Sequence, residues 1–192
     1  MRYFLDFEFI EGFHKPLFGK RRHFIDLISI GIVCEDNSGL YLISSEYDYE
    51  DADQWVKDNV IVKAYSRECS GDAKNHFSAR NFHKHFGLKQ KEIGKRVIEW
   101  IGHDSNIKFY GYYSDYDWVL FCSIFGRMID LPKGFPMYCR DIKQMMDERG
   151  ISSDHPDCPK QSDDHIAIKD AAWNKEAYNW LINYPVLKAK HV

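Results

Sequence analysis

Tyr3-Phe4-Leu5-Asp6-Phe7-Glu8 sets two carboxylates directly behind a short apolar run. Tyr3–Leu5 reads as an opening strand, and residues two apart on a strand share a face, so Asp6 and Glu8 project together while Phe7 points the other way into a core. Two neighbouring carboxylates resist ionising together unless a cation shares the site, which makes the pair a candidate ligand set for a hard metal. Asp-x-Glu is common by chance, however, and carries weight only in company.

The rest of the chain supplies that company. Ile25–Cys34 is rich in β-branched residues and reads as a longer buried strand, Asp36-Asn37-Ser38-Gly39 as a turn, and Leu40–Ser45 as a returning third strand, with a loop inserted after the first strand. Further on, a helix is expected from Asp51 to about Val60, an irregular polar stretch over Tyr65–Asn75, and a helix at Ile93–Ile101. Then come a strand at Ile107–Tyr110, a helix at Asp115–Phe125, a short strand near Met137–Cys139, and a helix at Asp141–Arg149. A Pro-containing loop over Ser153–Ser162 and a last helix from His165 to about Leu181 finish the order. An antiparallel set followed by alternating strands and helices predicts a mixed α/β sheet flanked by helices.

Composition narrows the class. The 192 residues, 44% of them hydrophobic and 16% aromatic, fit one domain over 1–192 with a sizeable core. No stretch has the roughly 18 consecutive apolar residues that a membrane span requires, and no leader precedes Tyr3. Five scattered cysteines without C-x-x-C suggest neither a disulfide framework nor a zinc site, and point to reduced thiols in the cytoplasm. A net charge of −3 argues against nonspecific coating of nucleic acid. Two segments are nonetheless basic: His14–His23 holds Lys15, Lys20, Arg21 and Arg22 with no acid, and Lys74–Arg96 holds seven Lys or Arg against Glu92 alone.

Two more acids join the opening pair. Asp170 lies in His165-Ile-Ala-Ile-Lys-Asp170 at the start of the last helix, and His165 sits over the same edge, where an imidazole can take a proton from water near neutral pH. Asp117 follows a strand and opens a helix, at the carboxyl edge of the sheet where α/β sites collect. Asp115 competes with it, but is well placed to be the helix N-cap.

Asp-x-Glu on the first strand, Asp after a middle strand and H-x-A-x-x-D on the last helix resemble the DEDD superfamily of 3′→5′ exonucleases, in its histidine subclass. The resemblance implies a ribonuclease-H-like fold and two Mg²⁺ or Mn²⁺ ions bound by Asp6, Glu8, Asp117 and Asp170, with His165 as general base. Many members carry Asn four residues before the third acid; this chain has Tyr113. It is more closely similar to short bacterial and phage 3′→5′ exoribonucleases that open on M-R-Y-F-x-D-x-E-F-I-E. The similarity continues through Leu27–Gly31, Ser45–Asp48, Tyr116-Asp117 and Arg140–Gly150. It implies single-stranded RNA 3′ ends as substrate, a preference for adenylates in some members, and a homodimer; the Gly12–Phe24 segment is longer here than in the shortest relatives.

Single strands are gripped by aromatic stacking and basic side chains. Phe9 and Tyr113 are the preferred contacts for the terminal nucleotide, Tyr116 flanks the acids, and Ile28 and Ser29 are expected beside them on the second strand. Two other readings stay open: a DNA exonuclease of the same fold, and a ribonuclease-H-like module that binds without cutting.

Overall fold

The computed structural model describes residues 1–14, 18–69, 76–161 and 165–185. Lys15, Lys74, residues 70–75 and Ser162, which belong to expectations stated above, fall outside them. Five strands form one sheet in the order β3-β2-β1-β4-β5. They are β1 (Arg2–His14), β2 (Arg22–Cys34), β3 (Gly39–Ile43), β4 (Lys108–Gly111) and β5 (Arg140–Asp141). The first three are antiparallel, whereas β4 lies parallel to β1 and β5 parallel to β4. This is the mixed sheet the element order predicts.

Alternation along β1 divides the molecule. Tyr3, Leu5 and Phe7 face one side, where they pack with Leu27, Ile30, Ile32, Phe109, Phe121 and the buried residues of α4 (Gln90–Ile101) and α5 (Asp115–Phe125). Phe4 faces the other side, against α6 (Ile142–Asp147) and α7 (Ala167–Asn183) through Ile142, Met146, Trp173 and Tyr178. Ile10, further along that second face, enters a third cluster with Ile28, Ile43, Tyr47, Ile61 and Phe82.

Four boundaries differ from expectation. The first two strands run on where a loop is expected: Glu11–His14 belong to β1 and pair with Arg22–Ile25 of β2, so the two extend as a ribbon. The helix placed at 51–60 instead starts at α1 (Gln54–Val56), passes through a π-helical turn (Lys57–Ile61) and continues as α2 (Val62–Glu68), taking in part of the stretch read as irregular. A short α3 (His83–Phe86) follows it. The strand placed at Met137–Cys139 lies instead at β5, and α7 begins at Ala167, after His165. Apolar alternation fades beyond Phe9, which hid the ribbon, while the polar run Lys57-Asp58-Asn59 masked a continuing helix.

Candidate active site

Three carboxylates converge on the α7 side of β1. Asp6, Glu8 and Asp170 each offer an oxygen, and these oxygens lie within 4.8 Å of one another. Gly31 makes this possible: it pairs with Asp6, and a Cβ there would stand 2.2 Å from the carbonyl of Ala167. A side chain on β2 at that point would push the first turn of α7, and Asp170 with it, away from the sheet. Asn174, one turn after Asp170, adds a second tether by donating from Nδ2 to the Leu5 carbonyl at 2.8 Å.

Asp117 belongs to the same electrostatic group although its oxygens fall outside that triplet. It is 6% exposed, whereas Asp115 is exposed to solvent and sits inside the helix; the N-cap of α5 is Ser114, correcting the role expected for Asp115. Ser114 is in turn held by Asp141, which accepts from its backbone N–H at 2.8 Å.

Burial is the leading cause of raised pKa values at all four acids, and the charges of neighbouring carboxylates add to it at Asp6, Glu8 and Asp117. Asp6 is held well above the carboxylate range by burial and by the charges of Asp117, Glu8 and Asp170. Glu8 is pushed up to about 8 by burial, Asp170 and Asp117, with Lys63 opposing. Asp117 rises to about 8 through burial, against a hydrogen bond from the Phe7 backbone and with Asp141 and Asp170 adding to the rise. Asp170 is raised less, because three donors hold its carboxylate: Gln161 Nε2 at 2.5 Å, and the backbone N–H groups of His165 at 2.8 Å and Ile166 at 3.1 Å. Carboxylates this close and this buried are the chemistry of a hard-cation site, since a divalent ion would let all of them ionise together.

His165 adjoins this group in a left-handed conformation (φ +66°), its backbone N–H donating to Asp170. Its ring meets the edge of the Trp55 indole at a centroid distance of 4.9 Å. Trp55 is eight residues before Lys63. In a plain α-helix that spacing sets two side chains about 80° apart, and the extra residue of the intervening π turn brings them to within roughly 20°. The helix can therefore present both toward the acids.

The expected substrate contacts divide. Tyr113 is 66% exposed, also left-handed (φ +54°), and stands edge-on to Tyr112. Phe9 lies against Tyr116 at 5.7 Å, and the Tyr116 hydroxyl donates to Glu11 at 3.3 Å. Ile28 and Ser29 are 0% and 1% exposed and offer a ligand almost no surface, which corrects their expected role as lining residues. A bulge explains their position: Glu8 pairs with Ser29 but Phe9 with Leu27, so Ile28 is the extra residue and turns into the core beside Ile10. Sequence reasoning missed Trp55, Lys63, Gln161 and Asn174, whose neighbourhood with the acids comes only from packing.

Comparison with known proteins places this geometry. No family model matches the chain. Two curated Mycobacterium tuberculosis proteins, the 3′-5′ exoribonucleases Rv2179c (strain H37Rv) and MT2234.1 (strain CDC 1551), are each 31% identical over 171 residues, covering 89% of this chain and 87% of theirs. The chain belongs to this 3′-5′ exoribonuclease family. Among solved structures the exoribonuclease chain is similar to Schizosaccharomyces pombe Pop2p in its Mg²⁺- and Mn²⁺-bound form, with a TM-score of 0.50 and 13% identity over 95% of this chain and 83% of that one. It is also similar to Escherichia coli exonuclease I in complex with a dT13 oligonucleotide, with a TM-score of 0.54 and 11% identity over 95% of this chain and 41% of that one. These likenesses establish the ribonuclease-H-like exonuclease fold. Among the described residues no helix is long and apolar enough to cross a membrane.

Proposed function

We propose that this exoribonuclease hydrolyses single-stranded RNA from its 3′ end and releases nucleoside 5′-monophosphates. The observation that carries the reading is the convergence of Asp6, Glu8 and Asp170 within 4.8 Å, beside a buried Asp117. Those four carboxylates would hold two Mg²⁺ or Mn²⁺ ions, which when bound lower the pKa of attacking water and stabilise charge on the leaving oxygen. Asp6 and Glu8 hold the shared centre, Asp170 closes it from α7, and Asp117 closes it from α5. His165, at the open side, is placed to orient the attacking water and remove its proton, a role worth about 10²–10⁴-fold in rate. Phe9, Tyr113 and Tyr116 flank the space for the terminal nucleotide, and Trp55 backs the His165 ring.

The family resemblance extends the reading to a preference for adenylates and to a homodimer. The test is release of mononucleotides from labelled single-stranded RNA and DNA of matched sequence, with Mg²⁺ or Mn²⁺ added. Metal-dependent release of 5′-monophosphates, faster from RNA and fastest from oligoadenylate, is expected. Rates unaffected by Asp6→Ala and His165→Ala would refute the assignment, and faster release from DNA would move it to the DNA enzymes of this fold.

A further inference from the structure

The β1–β2 ribbon beyond the acids is anchored at its base, where Ile10 and Leu27 are buried and Phe9, Phe24 and Ile25 pack against the core, and leaves the core at its outer end. β3 pairs with β2 only over Ser29–Val33, and β4 pairs with β1 only over Arg2–Phe4. Among the described residues, Phe9–His14 and Arg22–Leu27 therefore pair only with each other. A two-stranded ribbon is at best marginal in water, and the outer end of this one carries exposed groups beyond its buried base. Phe13 is 53% and Phe18 92% exposed. The Arg21 guanidinium lies over the Phe13 ring at 4.4 Å, and His14 stacks on Phe24 at 4.2 Å with their planes 18° apart. The Phe24 ring covers Gly12 so closely that a Cβ there would stand 2.7 Å from it. Lys20, Arg21 and Arg22 are exposed, and no acid occurs between Gly12 and Phe24 in a chain whose net charge is −3.

Register links this ribbon to the catalytic centre. Asp6, Glu8, Ile10, Gly12 and His14 share a face by alternation, with Ile10 buried between the acids and the outer end, and pairing puts Phe24 and Arg22 on that face too. At about 3.3 Å per residue, His14 lies roughly 20 Å from Glu8 along the strand that carries both. Cations interleaved with exposed aromatic rings are what a single-stranded polynucleotide needs, phosphates going to the first and bases to the second.

We infer that the ribbon is an RNA-binding arm: Lys20, Arg21, Arg22 and the Phe24–His14 stack hold the single-stranded RNA upstream of the 3′ end being cut. This rests on the reading that Asp6 and Glu8 receive that 3′ end. The arm would make affinity and rate depend on substrate length, because the shortest substrates end before they reach it.

The test is fluorescence anisotropy with a labelled single-stranded RNA of about 12 nucleotides, over a range of salt, in an Asp6→Asn background that spares the RNA. The triple substitution Lys20→Ala, Arg21→Ala, Arg22→Ala is compared with the unsubstituted arm, and circular dichroism confirms that each protein is folded. At least tenfold weaker binding at low salt is expected, with a log–log salt slope flatter by about 2, since each phosphate contact on a single strand contributes roughly 0.7. With catalytic acids intact, kcat/KM on the long RNA should fall more than on a dinucleotide. Unchanged affinity and slope would overturn the inference. So would a changed sedimentation coefficient with RNA affinity unaltered, which would give the surface to a second copy of the chain. Failure of the unsubstituted enzyme to hydrolyse RNA would instead sink the proposed function, leaving the anisotropy result to decide the arm.

Discussion

The two faces of β1 lie a strand's thickness apart and solve opposite problems. On one, Tyr3, Leu5 and Phe7 are buried among aliphatic and aromatic side chains, where burial is favourable on its own terms. On the other, Asp6 and Glu8 are drawn under α7 beside Asp170 and Asp117, where burial and like charge both work against them. Acids elsewhere in the chain that serve structure have partners of their own: Asp53 caps the helix at Gln54 by accepting from the Val56 N–H, and Asp141 accepts from Gln144 and Ser114. The first face stabilises the fold, and the second holds a cost that a divalent cation would relieve. Nothing about the fold requires four acids there.

Substitutions on the two faces should separate activity from stability. The largest effect is expected from Asp6→Asn or Asp170→Asn, each lowering kcat/KM on single-stranded RNA by about 10³-fold or more, roughly 4 kcal/mol of transition-state stabilisation. Without added metal, Asp6→Asn should unfold at the same temperature as the parent or higher, because a repelling charge is gone, whereas Asp170→Asn turns an amide NH2 toward donors and should unfold lower. Gly31→Ala comes next: its Cβ would collide with Ala167, moving Asp170 from Asp6 and cutting activity by about 10²-fold, with a smaller loss of stability. Leu5→Ala acts from the opposite face. It should cost about 2–5 kcal/mol in urea unfolding, while kcat per folded molecule stays near the parent value.

The smallest expected effect concerns pH. Glu8 and Asp117 have folded-state pKa values of about 8, above the ordinary carboxylate range. The folded protein therefore keeps protons that the unfolded chain has lost, and stability present at pH 4–5 declines as pH rises toward 8. Thermal unfolding in a chelator should show a lower midpoint at pH 8 than at pH 6. Saturating Mn²⁺ should remove most of that decline, because metal binding takes over from the protons.

The period-2 pattern of Tyr3–Glu8 gave both faces of β1, and the spacing of His165 to Asp170 brought the last helix to the same edge. The preference for Asp117 over Asp115 rests on a capping role that Ser114 fills instead, and the burial of Asp117 against the exposure of Asp115 comes from packing that spacing does not carry. Three things stayed hidden for physical reasons. A bulge moves Ile28 out of phase, and alternation cannot foresee an extra residue. A π turn brings Trp55 and Lys63 round together, where an ordinary helix would separate them. Asn174 reaches Leu5 from the far end of the chain, and Gln161 reaches Asp170 through the irregular segment before the last helix, and neither contact has a periodic signature.

Mn²⁺ titration by calorimetry, comparing the parent protein with Asp6→Asn and Asp170→Asn, tests most directly whether the charged face of β1 is a metal site. The account predicts two Mn²⁺ bound per parent chain with proton release that grows as pH falls from 8 to 6, and loss of at least one ion in each variant. A parent that binds no Mn²⁺ at millimolar concentration, or variants that bind it as well as the parent, would contradict it.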